Sequence, residues 1–377
     1  MEINIRNIPA RILELFIIIA PLENIFRIEQ VEYLIGTFLL FILLLNRMSL
    51  KYNFALFFFF IDLLLCCLWS PANDVILSAI TKFVVFLFLI LIAQFNYTEN
   101  DYKKIKNAFI IQGFVLLGVC FLFSDFQYNR MWISSSSSSA DPNYLSTWFI
   151  FPIVFICDRL LTCNDKGIRK VLLIFEVIAM YACILLTASR SGFITNTIIL
   201  LLYIAYTFRN YIKKNLLKSI LLIVFSGILC IIIINSIPDY LSARLMETHS
   251  MGTRGRIWEE LFAAMGENPL QSIVGFGDGA TVFYNTEGRI YGLGGLVAHN
   301  TFIDVLFNNG CIGLVFFLVM IIRGITRSYY EKRIEIVIGA LGMCIAIFTL
   351  SALTTRPVTF MLILLLIDIK IQKIRCE

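Results

Sequence analysis

The stretch "HNTFIDVLFNNGCIGLVFFLVMII" (residues 299–322) decides the fold. It begins with His299, one of two histidines in the chain, and passes from a polar, glycine-rich segment into an apolar run. About 20 apolar residues are what an α-helix needs to cross a hydrocarbon core of about 30 Å. The rest of the 377-residue chain has the same character. It is 59% hydrophobic and 15% charged, with a mean hydropathy of +0.84. A soluble domain is about 45–50% apolar and about 25% charged. Only helices and closed barrels satisfy their backbone in lipid, and these runs lack the alternation of barrel strands. The composition defines an all-α polytopic membrane protein, one transmembrane helical domain over residues 1–377.

Apolar periodicity predicts spans near 8–25, 31–46, 52–69, 75–95, 105–124, 144–163, 168–187, 191–208, 217–235, 299–322, 334–351 and 356–371. That is about twelve transmembrane helices, the first interrupted by Glu14, Pro21 and Glu23. The ten cysteines lie mostly inside these runs, where cysteine is a small hydrophobe, and they lack the spacing of a zinc site. The first run has no small-residue cleavage site, so it reads as a span and not as a removable signal.

Lysine and arginine set the orientation. They collect in alternate loops: Arg47 and Lys51; Lys103, Lys104 and Lys106; Arg159, Lys166, Arg169 and Lys170; Arg209, Lys213, Lys214 and Lys218; Arg323, Arg327, Lys332 and Arg333. By the positive-inside rule these loops and both termini are expected to be cytoplasmic. The opposite face carries Arg27, Arg130, Arg190, Arg244, Arg254, Arg256, Arg289 and Arg356, and no lysine. Structural ion pairs would account for such a set. So would phosphate recognition, because guanidinium presents a planar fork that matches phosphate oxygens.

One large external loop, 236–298, separates the ninth and tenth spans and reads as a small ordered cap. Within it "RIWEELFAAMG" (256–266) has helical spacing, and "VGFGDGA" and "YGLGG" supply turns. "SSSSSS" (134–139) is a flexible stretch with no chemistry of its own.

Arg190, in "TASRSGF", occupies a short external turn at headgroup depth and fits either a snorkelling interface residue or a phosphate ligand. Arg254 and Arg256 precede the helical stretch of the cap, where the macrodipole disfavours cations unless an anion is also present. Arg356 begins the last span on the same face, as an interface anchor or a ligand-binding group. His299 stands at the bilayer edge beside these arginines. Asp304 is a poor helical partner for it, since five residues along a helix place two side chains about 140° apart. His249 has no supporting pattern and reads as structural. No paired-acid motif, P-loop or dinucleotide fingerprint occurs, so neither a metal-held diphosphate site nor a nucleotide engine is expected. Asp62, Lys82 and Glu176 fall inside spans and point to the bundle interior.

His299 and Asn300, followed at fixed spacing by Gly310 and Gly313, resemble the signature of the O-antigen ligase and O-antigen polymerase superfamily of bacterial glycosyltransferases. "GTRGRIWEELFAAMGENPLQSIVGFG" (252–277) resembles the block before it, with an arginine four residues ahead of a tryptophan, then Pro-Leu, then Gly-x-Gly. "SRSG" (189–192) and "DPN" (141–143) also recur there. The resemblance implies a GT-C-like membrane glycosyltransferase on the periplasmic face of the bacterial inner membrane, needing no metal or other cofactor. Its donor would be a glycan on undecaprenyl pyrophosphate. Arg190 and Arg254 match the family's pyrophosphate-contacting arginines, with Arg256 beside them. His299 would take the proton from the acceptor hydroxyl, and Asn300 and Arg356 would be further substrate-binding residues. Gly275, Gly277, Gly310 and Gly313 are expected to serve turns and close packing. The implied partners are the lipid-linked oligosaccharide, the membrane and a chain-length regulator, with no nucleic acid.

The shared donor site leaves polymerase and ligase both open. A chain rich in Ile, Phe, Asn and Lys favours polymerase by association alone. A lipid-linked glycan flippase would need internal repeats and paired ionisable residues at the midplane. No repeat is visible, and the intramembrane charges are scattered.

Overall fold

The computed structural model describes residues 8–22, 31–45, 51, 53–127, 130–133, 141–163, 166–207, 209, 249–284 and 296–370. The expected span at 217–235, the serine run and parts of the large loop, with Arg27, Arg244 and Arg289, lie outside them. Helices account for nearly all of the rest. In chain order they are α1 (Ile8–Ile19), α2 (Val31–Leu45), α3 (Phe54–Leu65), α4 (Val75–Ile92), α5 (Glu99–Phe123), α6 (Pro142–Trp148), α7 (Ile150–Thr162), α8 (Ile168–Leu186) and α9 (Arg190–Thr207). After the gap come α10 (His249–Glu267), α11 (Pro269–Val274), α12 (Ala280–Tyr284), α13 (Thr301–Tyr330), α14 (Ile334–Ile347) and α15 (Arg356–Leu366).

Among the described residues, four helical stretches are long and apolar enough to cross a membrane: Val75–Ile92, Glu99–Phe123, Pro142–Thr162 and Thr301–Tyr330. Shorter apolar helices stand beside them at Tyr33–Ile42, Phe54–Trp69, Ile334–Ile347 and Arg356–Leu366. Large apolar side chains such as Ile76 (74% exposed) and Phe121 (87%) cover the outside, as suits lipid and not water. This is the architecture of a polytopic membrane protein.

At the centre is α15, every residue of which is buried. Phe360 on it meets Phe16 of α1 at 5.7 Å and Phe109 of α5 at 5.3 Å, edge to face in both cases. Past α15, β4 (Asp368–Lys370) pairs in parallel with β1 (Asn96–Thr98) and closes one end of the bundle. Near the other end, β2 (Ser124–Gln127) and β3 (Arg130–Ile133) form a hairpin.

The glycines of the "HN…G…G" pattern find their reason in α13. Gly310 has φ 68° and ψ −173°, a conformation essentially restricted to glycine, and it kinks the helix. The kink turns the carbonyls of Phe307 and Asn308 outward, where they accept from Phe276 N (2.9 Å) and Gly277 N (3.1 Å) of the cap. A Cβ on Gly310 would lie 2.2 Å from Ile273 O. The "VGFGDG" segment is thus docked directly on the membrane helix.

That docking also employs the intramembrane charges. Asp278 of the cap pairs with Lys82 of α4, and its backbone N donates to Cys66 O. Asn309 Nδ2 donates to Asp62 Oδ2 at 3.1 Å. Of the three charges that would suit a flippase, Lys82 therefore fastens cap to bundle and Asp62 ties α3 to α13. Glu176 is buried against Gly113 and Met180.

Candidate active site

The cap helix α10 begins earlier than its sequence suggests. Arg254 and Arg256 lie inside it, past the first turn, and not ahead of a helix as expected. The cause is that Gly252 and Gly255 cost a helix only about 1 kcal/mol each, too little to stop it. The macrodipole reason for an anion at these two residues therefore does not apply. What places Arg254 is the face it shares with Ile257, Trp258 and Leu261, at i+3, i+4 and i+7. Ile257 and Leu261 are fully buried and pack with Phe276, Ala298 and Phe307. Arg256 lies off that face and is exposed.

His299 is held by its neighbours on both sides. Trp258 Nε1 donates to Ala298 O at 2.8 Å, and Ala298 N donates to Asp304 Oδ1 at 3.3 Å. The peptide before His299 is thereby clamped between cap helix and membrane helix. His299 itself has φ 51°, a left-handed conformation unusual for a residue with a Cβ and one that recurs at functional sites. Asn300 has a structural task in this turn. It is buried as the N-cap of α13, its Oδ1 accepting from Phe302 N (2.9 Å) and Ile303 N (3.2 Å). Because α13 starts only at Thr301, the helical angle between His299 and Asp304 does not arise. Asp304 instead reaches back to the turn that carries the histidine.

Arg190 opens α9 after a second left-handed residue, Ala188 (φ 48°). Arg130 secures that turn, donating from Nε to Thr187 O and from Nη2 to Asn143 Oδ1, both at 3.0 Å. Of the external arginines, Arg130 thus has a structural task. Asn143 belongs to the "DPN" motif, whose Asp141 caps α6 by accepting from Asn143 N at 2.7 Å, with Pro142 at the first helical position. Tyr144 OH donates to Ser351 O (2.8 Å), and Thr301 Oγ1 donates to Leu350 O (2.6 Å), so the turn after α14 is tied to the same corner.

Electrostatics shows which of these groups face one another. Burial, then the charge of Arg254, lowers the pKa of His299, while Asp141 opposes them. Burial, then the like charge of Arg190, lowers that of Arg254, with Asp141 and Tyr144 opposing. Arg190, Arg254, His299 and Asp141 are therefore within electrostatic reach of one another, a candidate site with two guanidiniums and one carboxylate. Arg356 has other neighbours. It is buried with its guanidinium 3.6 Å from the Tyr33 ring centroid and 4.9 Å from that of Phe16, a cation–π seat in the core.

Sequence reasoning did not assign Asp141, Tyr144 or Trp258 to the site. The signals were present in the Asp-Pro-Asn cap and in the four-residue spacing from Arg254 to Trp258.

Together these observations define an integral membrane protein whose helical cap closes an arginine and histidine site at one end of the bundle. Residues 175–318 match the family model described as O-antigen ligase, a match that supports the O-antigen ligase and polymerase superfamily for this segment. The matched stretch contains Arg190, Arg254, His299 and the kink glycine Gly310. A search of curated proteins gives no match to the chain.

Proposed function

We propose that the protein polymerises glycan repeat units, transferring a glycan from undecaprenyl pyrophosphate to a sugar hydroxyl of another lipid-linked unit. The observation that carries this reading is that the charge of Arg190 acts on Arg254 and the charge of Arg254 on His299, whose pKa is lowered. Two half-buried guanidiniums side by side repel one another until an anion joins them. A diphosphate at headgroup depth is such an anion. As the glycosidic bond breaks, negative charge grows on the leaving diphosphate, and preorganised arginines stabilise it without reorganising. Arg256, exposed on the other side of α10, is at most an outer contact for the same diphosphate.

His299 accepts the proton of the attacking hydroxyl, for which it must be neutral. Its buried setting and cationic neighbour favour that form. Asp141 orients and partly balances the cationic group. In this reading twelve spans put both termini in the cytoplasm and the site on the periplasmic face of the inner membrane, as the lysine distribution supports. A chain-length regulator is the natural protein partner for a polymerase.

Ligase is the second reading, with a lipid A-core sugar as acceptor at the same donor site. Deleting the gene separates the two on one gel. Loss of a polymerase leaves single repeat units on the core, the expected result. Bare core with accumulated lipid-linked polymer would assign the chain as a ligase.

A pH profile tests the base. With its pKa below the ordinary imidazole value of about 6.5, His299 stays neutral and active as pH falls past that value. Transfer should decline only at lower pH. Asp141→Asn keeps the helix cap but removes the charge that raises the histidine pKa, so the acid limb should move to still lower pH. An unmoved limb would separate Asp141 from His299.

A further inference from the structure

A second polar site lies at the far end of α13. Arg323 is 22 residues beyond Thr301, which at 1.5 Å per residue is roughly 33 Å along the helix. That is close to the thickness of a hydrocarbon core of about 30 Å. There, a cleft of about 490 Å³ is lined by Lys51, Phe54, Arg323, Arg327 and Asp368 over a floor that includes Met320 and Leu365. Its size is within the range of about 300–1,000 Å³ usual for ligand sites.

Three cations face one carboxylate in this cleft. Lys51 Nζ pairs with Asp368 Oδ2 at 3.0 Å. Arg327 Nη2 donates to Leu365 O (2.7 Å) and Ile367 O (2.8 Å), capping the end of α15, while its Nε has no hydrogen-bond partner among the described residues. Arg323 is exposed and has no ionic or hydrogen-bonded partner among the described residues. The approach to the cleft is apolar. Phe54, half exposed, touches Phe58 (ring centroids 4.3 Å) and Phe316 (5.9 Å) on the outer surface of the bundle. An uncompensated cationic pocket at one end of an exposed aromatic track fits an amphiphile with an anionic head. Basic pockets between membrane helices bind phospholipid headgroups by this chemistry.

We propose that this cleft binds the phosphate headgroup of an anionic phospholipid, with Arg323 and Arg327 on its oxygens and the acyl chains along the Phe54, Phe58 and Phe316 rings. The site is separate from the one around His299 and does not depend on the glycan-transfer reading. The test is native mass spectrometry of the full-length chain in detergent, titrated with phosphatidylglycerol, phosphatidylcholine or inorganic phosphate. Phosphatidylglycerol should bind and phosphatidylcholine should not. Arg323→Gln should weaken the phosphatidylglycerol adduct by roughly five- to tenfold, and Arg323→Lys should retain most of it. Arg323 is exposed and unbonded, so both variants should fold, and equal thermal unfolding midpoints would check this. Equal binding of the two lipids, or unchanged binding by Arg323→Gln, would overturn the site. Inorganic phosphate displacing the lipid at comparable concentration would overturn its assignment to a lipid.

Discussion

Replacing His299 with alanine is expected to abolish long glycan chains in cells while the protein is made and inserted normally. A positioned general base typically contributes about 10²–10⁴-fold to rate. Two of the groups near it are arginines, which offer no acceptor, and Asp141 Oδ1 is occupied in capping α6. The structural cost should be small. The clamp from Trp258 and Asp304 acts on the backbone of Ala298, not on the imidazole. Relief of the left-handed strain at residue 299 is no greater for alanine, which also carries a Cβ. A glycan ladder on a gel, read beside an immunoblot for the chain, gives the result.

The second large effect is structural. Gly310→Ala should unfold the junction between cap and bundle. It places a Cβ 2.2 Å from Ile273 O and about 2.5 Å from Gly275 N, in a conformation that a side chain does not tolerate. The loss should be about 3 kcal/mol or more, because both of these atoms are backbone and cannot swing aside. The bonds from Phe276 N and Gly277 N to α13 go with it, and so does the registry of α10 over His299. Gly118→Ala is the control, since nothing lies within 4 Å of its added Cβ. The thermal unfolding midpoint in detergent should fall sharply for the first variant and hold for the second.

The physical basis of the membrane fold was legible in the sequence because span length is imposed by the bilayer and apolar runs announce it directly. Most described bundle helices begin within a few residues of the expected ranges, but α5 starts earlier, at Glu99, α15 stops at Leu366, the 144–163 run divides into α6 and α7, and α13 runs on to Tyr330. What the sequence concealed were relations made by tertiary contact. Asn300 reads as a polar group beside a histidine, but its function is set by where α13 begins, and only the backbone shows that. Arg356 reads as an interfacial cation, yet it packs on Tyr33 and Phe16, more than 300 residues away in sequence. Arg254 is brought toward His299 by the packing of Ile257 and Leu261 and by the indole-to-carbonyl bond from Trp258 to Ala298. Asp278 gave no sign that its partner would be a lysine in the fourth helix.

The central claim is that Arg190, Arg254 and His299 form one centre for glycan transfer from a lipid diphosphate. The most direct measurement uses the purified full-length chain in detergent with an undecaprenyl-pyrophosphate-linked repeat unit, scoring polymer by gel. The wild-type chain should build a ladder. His299→Ala should build none while still binding the donor, and Arg254→Lys should lose donor affinity as well as rate, because a lysine cannot form the bidentate contact. A full ladder from His299→Ala would contradict the account.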